Sequence, residues 1–201
     1  MTGTGRQIPR ATAALIIINT AVFFLAEVLS GSTQDTSVLI TWGGAWVPAV
    51  KEGEYWRLVT SIFMHSGIRH LLNNMLMLYV LGSVLEEILG SIRYVILYLA
   101  SGIISGGITW HYYYTHGRMV VAVGASGAIF AVMGALLFII LCNKGRVRGL
   151  SLRQMTVMLL FSLYFGFTTP DVSNMAHISG AAAGFLLAVP MYLIKPGALR
   201  R

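Results

Sequence analysis

Ser126 lies in the stretch Gly124-Ala125-Ser126-Gly127, near the start of the apolar run VAVGASGAIFAVMGALLFIIL. A serine hydroxyl is a poor nucleophile until a base removes its proton, and histidine is the usual base. His177 is the candidate base. His70 and Asn74 are four residues apart, so on a helix they share a face and can aim at one point. The Asn74 amide and a backbone N–H at the start of a helix are the kinds of donor that a developing oxyanion needs. Gly124 and Gly127 lack a Cβ and let another backbone approach closely. Each residue also has a plainer reading. Serine and glycine pack membrane helices, an interior histidine can simply be hydrogen-bonded, and His70 with Asn74 could join two helices. The plainer readings weaken when taken together, because they require three unrelated packing roles at one depth.

These residues need elements to position them, and composition says which kind. The chain has 201 residues, 56% of them hydrophobic and only 10% charged. Its mean hydropathy is +0.75. A soluble domain carries about 25% charged residues. A chain this poor in charge cannot dress a water-facing surface. The net charge of +7 comes from short loops between apolar runs and forms no basic helix, so nucleic acid is not an expected partner. One cysteine, Cys142, excludes an internal disulfide framework. Six segments reach membrane length, at about 12–30, 68–89, 91–111, 125–142, 153–169 and 176–194. They predict an all-α polytopic membrane protein, a bundle of six transmembrane helices forming one domain over 1–201. Pro170, Asp171 and Lys195-Pro196-Gly197 act as stop signals. The apolar N-terminal run has no convincing cleavage site and reads as an uncleaved first helix.

Lysines and arginines orient the bundle. With the N-terminus inside, ten of them lie inside: Arg6, Arg10, Arg93, Lys144, Arg146, Arg148, Arg153, Lys195, Arg200 and Arg201. Four lie outside: Lys51, Arg57, Arg69 and Arg118. Both termini are expected to be cytoplasmic. The first outer loop, about 31–67, carries Trp42, Trp46, Tyr55 and Trp56 and is expected to lie partly in the outer leaflet. Segments two, four and six all run inward, with His65, His70 and Asn74, then Ser126, then His177 at their outer ends. Ser126 to Cys142 makes about 25 Å of helix, against a hydrocarbon core of about 30 Å. The polar cluster should therefore begin a few ångströms below the outer boundary. Gly180 and Gly184 form a Gly-xxx-Gly pair that should pack on Gly127, Ala131 and Gly134. Gly102 has no assigned neighbour. Glu86 and Glu87 read as solvated or helix-end residues at the inner face. His111 and His116 have no acidic partner and do not read as a metal site.

These residues resemble the rhomboid family of intramembrane serine proteases. The matching pieces are GASGA (124–128), AHISGAAAG (176–184), HSGIRHLLNN (65–74) and the Trp56-Arg57 pair within YWRLVTSIFMH. The resemblance covers about residues 12–194. It implies Ser126 as nucleophile and His177 as general base in a two-residue dyad, which leaves Asp171 no catalytic role. It implies His70, Asn74 and the Ser126 N–H as the oxyanion donors. Phe130 matches a position where some members have tyrosine. The implied function is a serine endopeptidase that cuts transmembrane protein substrates near the outer boundary, in a minimal bacterial-type form of the plasma membrane. Its expected partners are those substrates and membrane lipid, with no cofactor and no metal. The rivals are a six-helix transporter, which would want charges near the midplane, and an inactive member that only binds membrane helices. A soluble hydrolase with Ser126 on a nucleophile elbow is rejected, because position 128 is alanine and no alternating strands supply a sheet.

Overall fold

The computed structural model describes residues 9–169 and 172–194. Arg6, Lys195, Arg200 and Arg201, used for orientation, lie outside the described residues, as do Pro170, Asp171, Pro196 and Gly197. The architecture is an all-α polytopic membrane bundle. The first rod is α1 (Arg10–Ser30). A long loop follows, with three short helices, α2 (Thr36–Thr41), α3 (Val47–Lys51) and α4 (Arg57–Thr60), and a 3₁₀ turn at Ser61–Phe63. The second rod passes from α5 (Ile68–Met77) through a π turn, Leu78–Gly82, into α6 (Ser83–Leu89). Four rods complete the bundle: α7 (Ser91–Thr115), α8 (Ser126–Cys142), α9 (Leu152–Thr168) and α10 (Asn174–Leu193).

Among the described residues, α1, the α5–α6 rod, α7 and α10 are long and apolar enough to cross a membrane. α8 and α9 have 17 residues each, about 25 Å of helix. α8 is the centre, with twelve of its seventeen residues buried. α9 is the outermost rod and buries only Met155 and Gly166. The outer surface is apolar over its length. Val28, Ile92, Phe161 and Phe167 are each at least 66% exposed. A water-facing surface does not carry such a band, whereas lipid accepts it.

α7 continues to Thr115, four residues beyond the end expected from sequence. Its 25 residues make about 37 Å of helix, longer than the hydrocarbon core. The extra turn supports the first loop. Trp110 Nε1 donates to the Val47 carbonyl at 3.1 Å, and the Lys51 ammonium lies 5.4 Å from the Tyr114 ring centroid. Arg57 holds the loop from within. Although the sequence suggests an interfacial cation, Arg57 is buried. Its Nη1 donates to the carbonyls of Ile40 (2.7 Å) and Gly44 (3.1 Å), and its Nε to Glu54 Oε2 (2.6 Å). Two short strands then join this loop to the approach to α8. β1 (Ala45–Trp46) pairs antiparallel with β2 (Val121–Ala122), with Ala45 opposite Ala122 and Trp46 opposite Val121.

Two sequence readings need correction. Gly102 is packed: a Cβ there would lie 2.6 Å from Ile62 Cδ1 and 3.3 Å from Ala128 Cβ. Of the two readings for Glu86, solvated or helix-end, the solvated one fails. It is only 4% exposed, and its carboxylate accepts from Ala11 N (2.9 Å), Thr12 N (2.7 Å), Thr12 Oγ1 (2.8 Å) and Ser91 Oγ (2.6 Å). The first backbone N–H groups of a helix have no partner within it. α1 begins after Pro9 without a side-chain cap of its own, so Glu86 caps it from another rod. Linear sequence cannot show this, since donor and acceptor are some 75 residues apart.

Glu86→Ala should therefore destabilise the bundle by about 1–3 kcal/mol, the usual cost of stranding buried donors. Glu86→Gln keeps one carbonyl acceptor and should lose less. Thermal unfolding in one detergent checks the order, and an Ala variant that melts with the wild type would remove the cap from the account.

Candidate active site

Ser126 is the first residue of α8 and is half-buried. The first bond of that helix runs from Ile129 N to the Ala125 carbonyl, at 2.9 Å. The N–H groups of Ser126, Gly127 and Ala128 thus precede the helical ladder and sit at the positive end of its dipole. The approach is rigid. Gly124 has φ +120°, in the region where glycine is favoured, and its N–H donates to the Ser61 carbonyl at 2.9 Å. A Cβ on Gly124 would lie 2.7 Å from ring atoms Cε1 and Nε2 of His70, and 3.9 Å from Asn74 Nδ2. Glycine here lets α5 and the residues before Ser126 come together.

His70 and Asn74 stand one turn apart on α5. Asn74 is buried, and its Nδ2 also donates within the helix to the His70 carbonyl at 3.1 Å. One residue left without a role by the sequence analysis belongs here. His65, fully buried just ahead of α5, meets the His70 ring edge-on with centroids 5.0 Å apart. Its Nε2 lies 3.5 Å from Ala125 N and accepts from it. Burial, with the neighbouring His70 adding to it, pushes the His65 pKa down. That favours the neutral ring required of an acceptor. The signals in the sequence were its place at the head of the polar segment and at the start of HSGIRHLLNN, one of the pieces that carry the resemblance.

His177 lies in the first turn of α10 and is buried. Its ring stacks on Phe130, with centroids 4.0 Å apart and planes 7° from parallel. Phe130 is one helical turn below Ser126 on α8, on the same face. The stack fixes the plane of the imidazole beneath the start of α8. Among the described residues no hydrogen bond joins Ser126 to His177, and His177 Nδ1 has no partner.

The close approach of α8 and α10 has a visible cause. A Cβ on Gly180 would overlap the Gly127 carbonyl oxygen, and one on Gly184 the Ala131 carbonyl oxygen. In return, a Cβ on Gly134 would overlap the Ala181 carbonyl oxygen. Backbone lies on backbone along three turns. Ser105 of α7, which the sequence analysis did not single out, adds a tie. Its Oγ donates to the Ala176 carbonyl at 2.8 Å, and a Cβ on Gly127 would lie 2.5 Å from it. Trp56 and Arg57 are not at the cluster. They belong to the first loop, where the Arg57 guanidinium lies 4.6 Å from the Trp56 ring centroid.

Fold and site together define a polytopic membrane bundle with serine, histidine and asparagine side chains gathered inside one end. The Rhomboid domain family model matches residues 52–194, and the chain belongs to the rhomboid family. It is 36% identical over 190 residues to rhomboid protease GluP of Bacillus subtilis (strain 168), covering 94% of this chain and 36% of that protein. It is 37% identical to YdcA of the same bacterium, over 69% of this chain and 68% of that one. RHOMBOID-like protein 4 of Arabidopsis thaliana is 39% identical over 160 residues, covering 79% of this chain and 39% of that protein. The chain thus spans about a third of the length of GluP.

The α8–α10 contact generates a test. Sequence alone suggests that alanine at 180 is milder than valine. The geometry makes the first added carbon already collide with backbone, which has no rotamer to escape. Gly180→Ala and Gly180→Val should both destabilise the bundle, by about 1–3 kcal/mol of overpacking or more, and so melt at a lower temperature. Gly107→Val, where a Cβ meets nothing within 4 Å, is the control. A Gly180→Val protein as stable as that control contradicts the contact.

Proposed function

We propose that this chain is an intramembrane serine endopeptidase, with Ser126 as nucleophile and His177 as general base. The observation that carries the reading is the Phe130–His177 stack, which holds an imidazole under the turn that starts at Ser126. His177 takes the hydroxyl proton as Ser126 Oγ attacks the scissile carbonyl carbon. The carbonyl oxygen becomes an oxyanion, met by the Ser126 N–H with Asn74 and His70 donating from α5. The tetrahedral intermediate collapses, the C–N bond breaks, and His177 returns the proton to the leaving amine. Water, activated by the same imidazole, then hydrolyses the acyl-enzyme and regenerates the serine. The serine–histidine contact commonly tightens only when substrate is bound.

The substrate class follows from depth. With α8 about 25 Å long, Ser126 would sit a few ångströms below the outer boundary. An intact transmembrane helix hides its carbonyls in its own hydrogen bonds. The enzyme would therefore cut transmembrane proteins near that boundary, where helix-weakening residues let the chain unwind. Both termini would be cytoplasmic and the membrane a bacterial plasma membrane. The names of the relatives support the protease reading.

Ser126→Ala and His177→Ala should each abolish cleavage of a reporter transmembrane substrate in liposomes, with normal expression. Each should also abolish labelling by a fluorophosphonate probe. Cleavage at the wild-type rate by either variant removes the dyad. Losing an oxyanion donor costs about 10²–10³ in kcat. Asn74→Ala should show that loss, and undiminished turnover returns Asn74 to a packing role.

A further inference from the structure

Far from Ser126, at the other end of α8, the chain forms a hairpin rich in arginine. β3 (Arg146–Val147) pairs antiparallel with β4 (Leu150–Ser151) across a two-residue turn, Arg148-Gly149. The hairpin is tied to α8 and α9 by backbone bonds from Gly145 N to Ile140 O and from Leu152 N to Gly145 O, each 2.9 Å. A capping box between Ser151 and Gln154 then starts α9. Two clefts of about 430 and 520 Å³ open here and share Arg146, Ser151 and Gln154. One adds Arg148, the other Arg153 and Val157. Among the described residues no carboxylate lines either cleft. Among the described residues the only ion pair of these three arginines is a long one, Arg148 to Glu87 at 3.9 Å.

We propose that these clefts bind the phosphate headgroup of an anionic glycerophospholipid. Each cleft is lined by two arginines, with Arg146 common to both, and a pair of guanidiniums suits a phosphate, which takes paired N–H donors. Arg148 has φ +48° and Gly149 φ +85°. Asparagine or glycine takes the first position of such a turn with least strain, so the turn itself does not call for arginine. What separates a lipid from a free anion or an acidic peptide is the surface that continues from the groove. Arg153, Val157, Leu160, Phe161 and Tyr164 recur at helical spacing, and all are exposed. The cleft with Arg153 and Val157 therefore opens onto an apolar track about 10 Å long on α9. A charged head and an apolar tail on one molecule match that order of surfaces.

The test uses the full chain, purified in detergent and titrated with phosphatidylglycerol or phosphatidylcholine, with bound lipid counted by native mass spectrometry. The wild type should retain one phosphatidylglycerol in preference to phosphatidylcholine. A basic group near an anionic surface is worth about five-fold in affinity, so Arg146→Gln with Arg153→Gln should weaken that binding about thirty-fold. Arg148→Asn suits the backbone of the turn and should weaken it about five-fold without unfolding the hairpin. Arg118→Gln, an exposed cation at the other end of the bundle, should have no effect. Millimolar inorganic phosphate should not displace the lipid. The proposal is overturned if Arg148→Asn and the double variant bind as tightly as wild type. It is equally overturned if Arg118→Gln weakens binding as much as they do, which means diffuse attraction, or if phosphate alone competes, which means a small-anion site.

Discussion

Inside a bilayer, apolar side chains gain little by leaving lipid for protein, so helices are held by close van der Waals contact and by hydrogen bonds. Here the decisive contact is between α8 and α10. Gly180 meets the Gly127 carbonyl, Gly184 meets that of Ala131, and Gly134 meets that of Ala181. Removing side chains from this seam lets one helix lie on the other at backbone distance. Phe130 and His177 can stack only because of it, and the imidazole reaches the start of α8 for the same reason.

The other side of the cluster depends on one more missing side chain. Gly124, at φ +120°, lets the His70 ring lie against the backbone just before Ser126. The segment is held through its own backbone, by two main-chain partners and one imidazole. Gly124 donates to Ser61, Ala125 to His65, and the strand before them pairs with Ala45–Trp46. The first loop thus reaches the cluster through main-chain bonds and the His65 ring, and buried Arg57 stiffens it by binding two of its carbonyls. The loop is support for the approach to α8, resting on the long end of α7.

Much of this was legible in the residues. Six apolar runs follow from composition, because lipid imposes a length and tolerates no bare polar backbone, and among the described residues four of the rods are long and apolar enough to cross it. The grouping of Ser126, His70, Asn74 and His177 at one end follows from their places in alternately directed segments. The Gly-xxx-Gly seam follows from the i, i+4 rule and from what membrane helices require. Local periodicity and spacing carry all of this information, so a linear reading suffices for it.

The remainder depended on partners that are distant in sequence. Nothing in the stretch around Glu86 says that its carboxylate will cap α1, nor does Arg57 announce that it will be buried under loop carbonyls. Gly102 looked free until Ile62 and Ala128 were seen against it, and Ser105 showed no role before its bond to Ala176. Residue types and their spacing along each helix determined the class of protein and which groups could do chemistry. Which of those groups meet, in what plane and under which neighbour, was decided only by the tertiary structure. The reason is that hydrogen bonds and steric fit are satisfied between segments, and a segment read alone does not contain the atom it will touch.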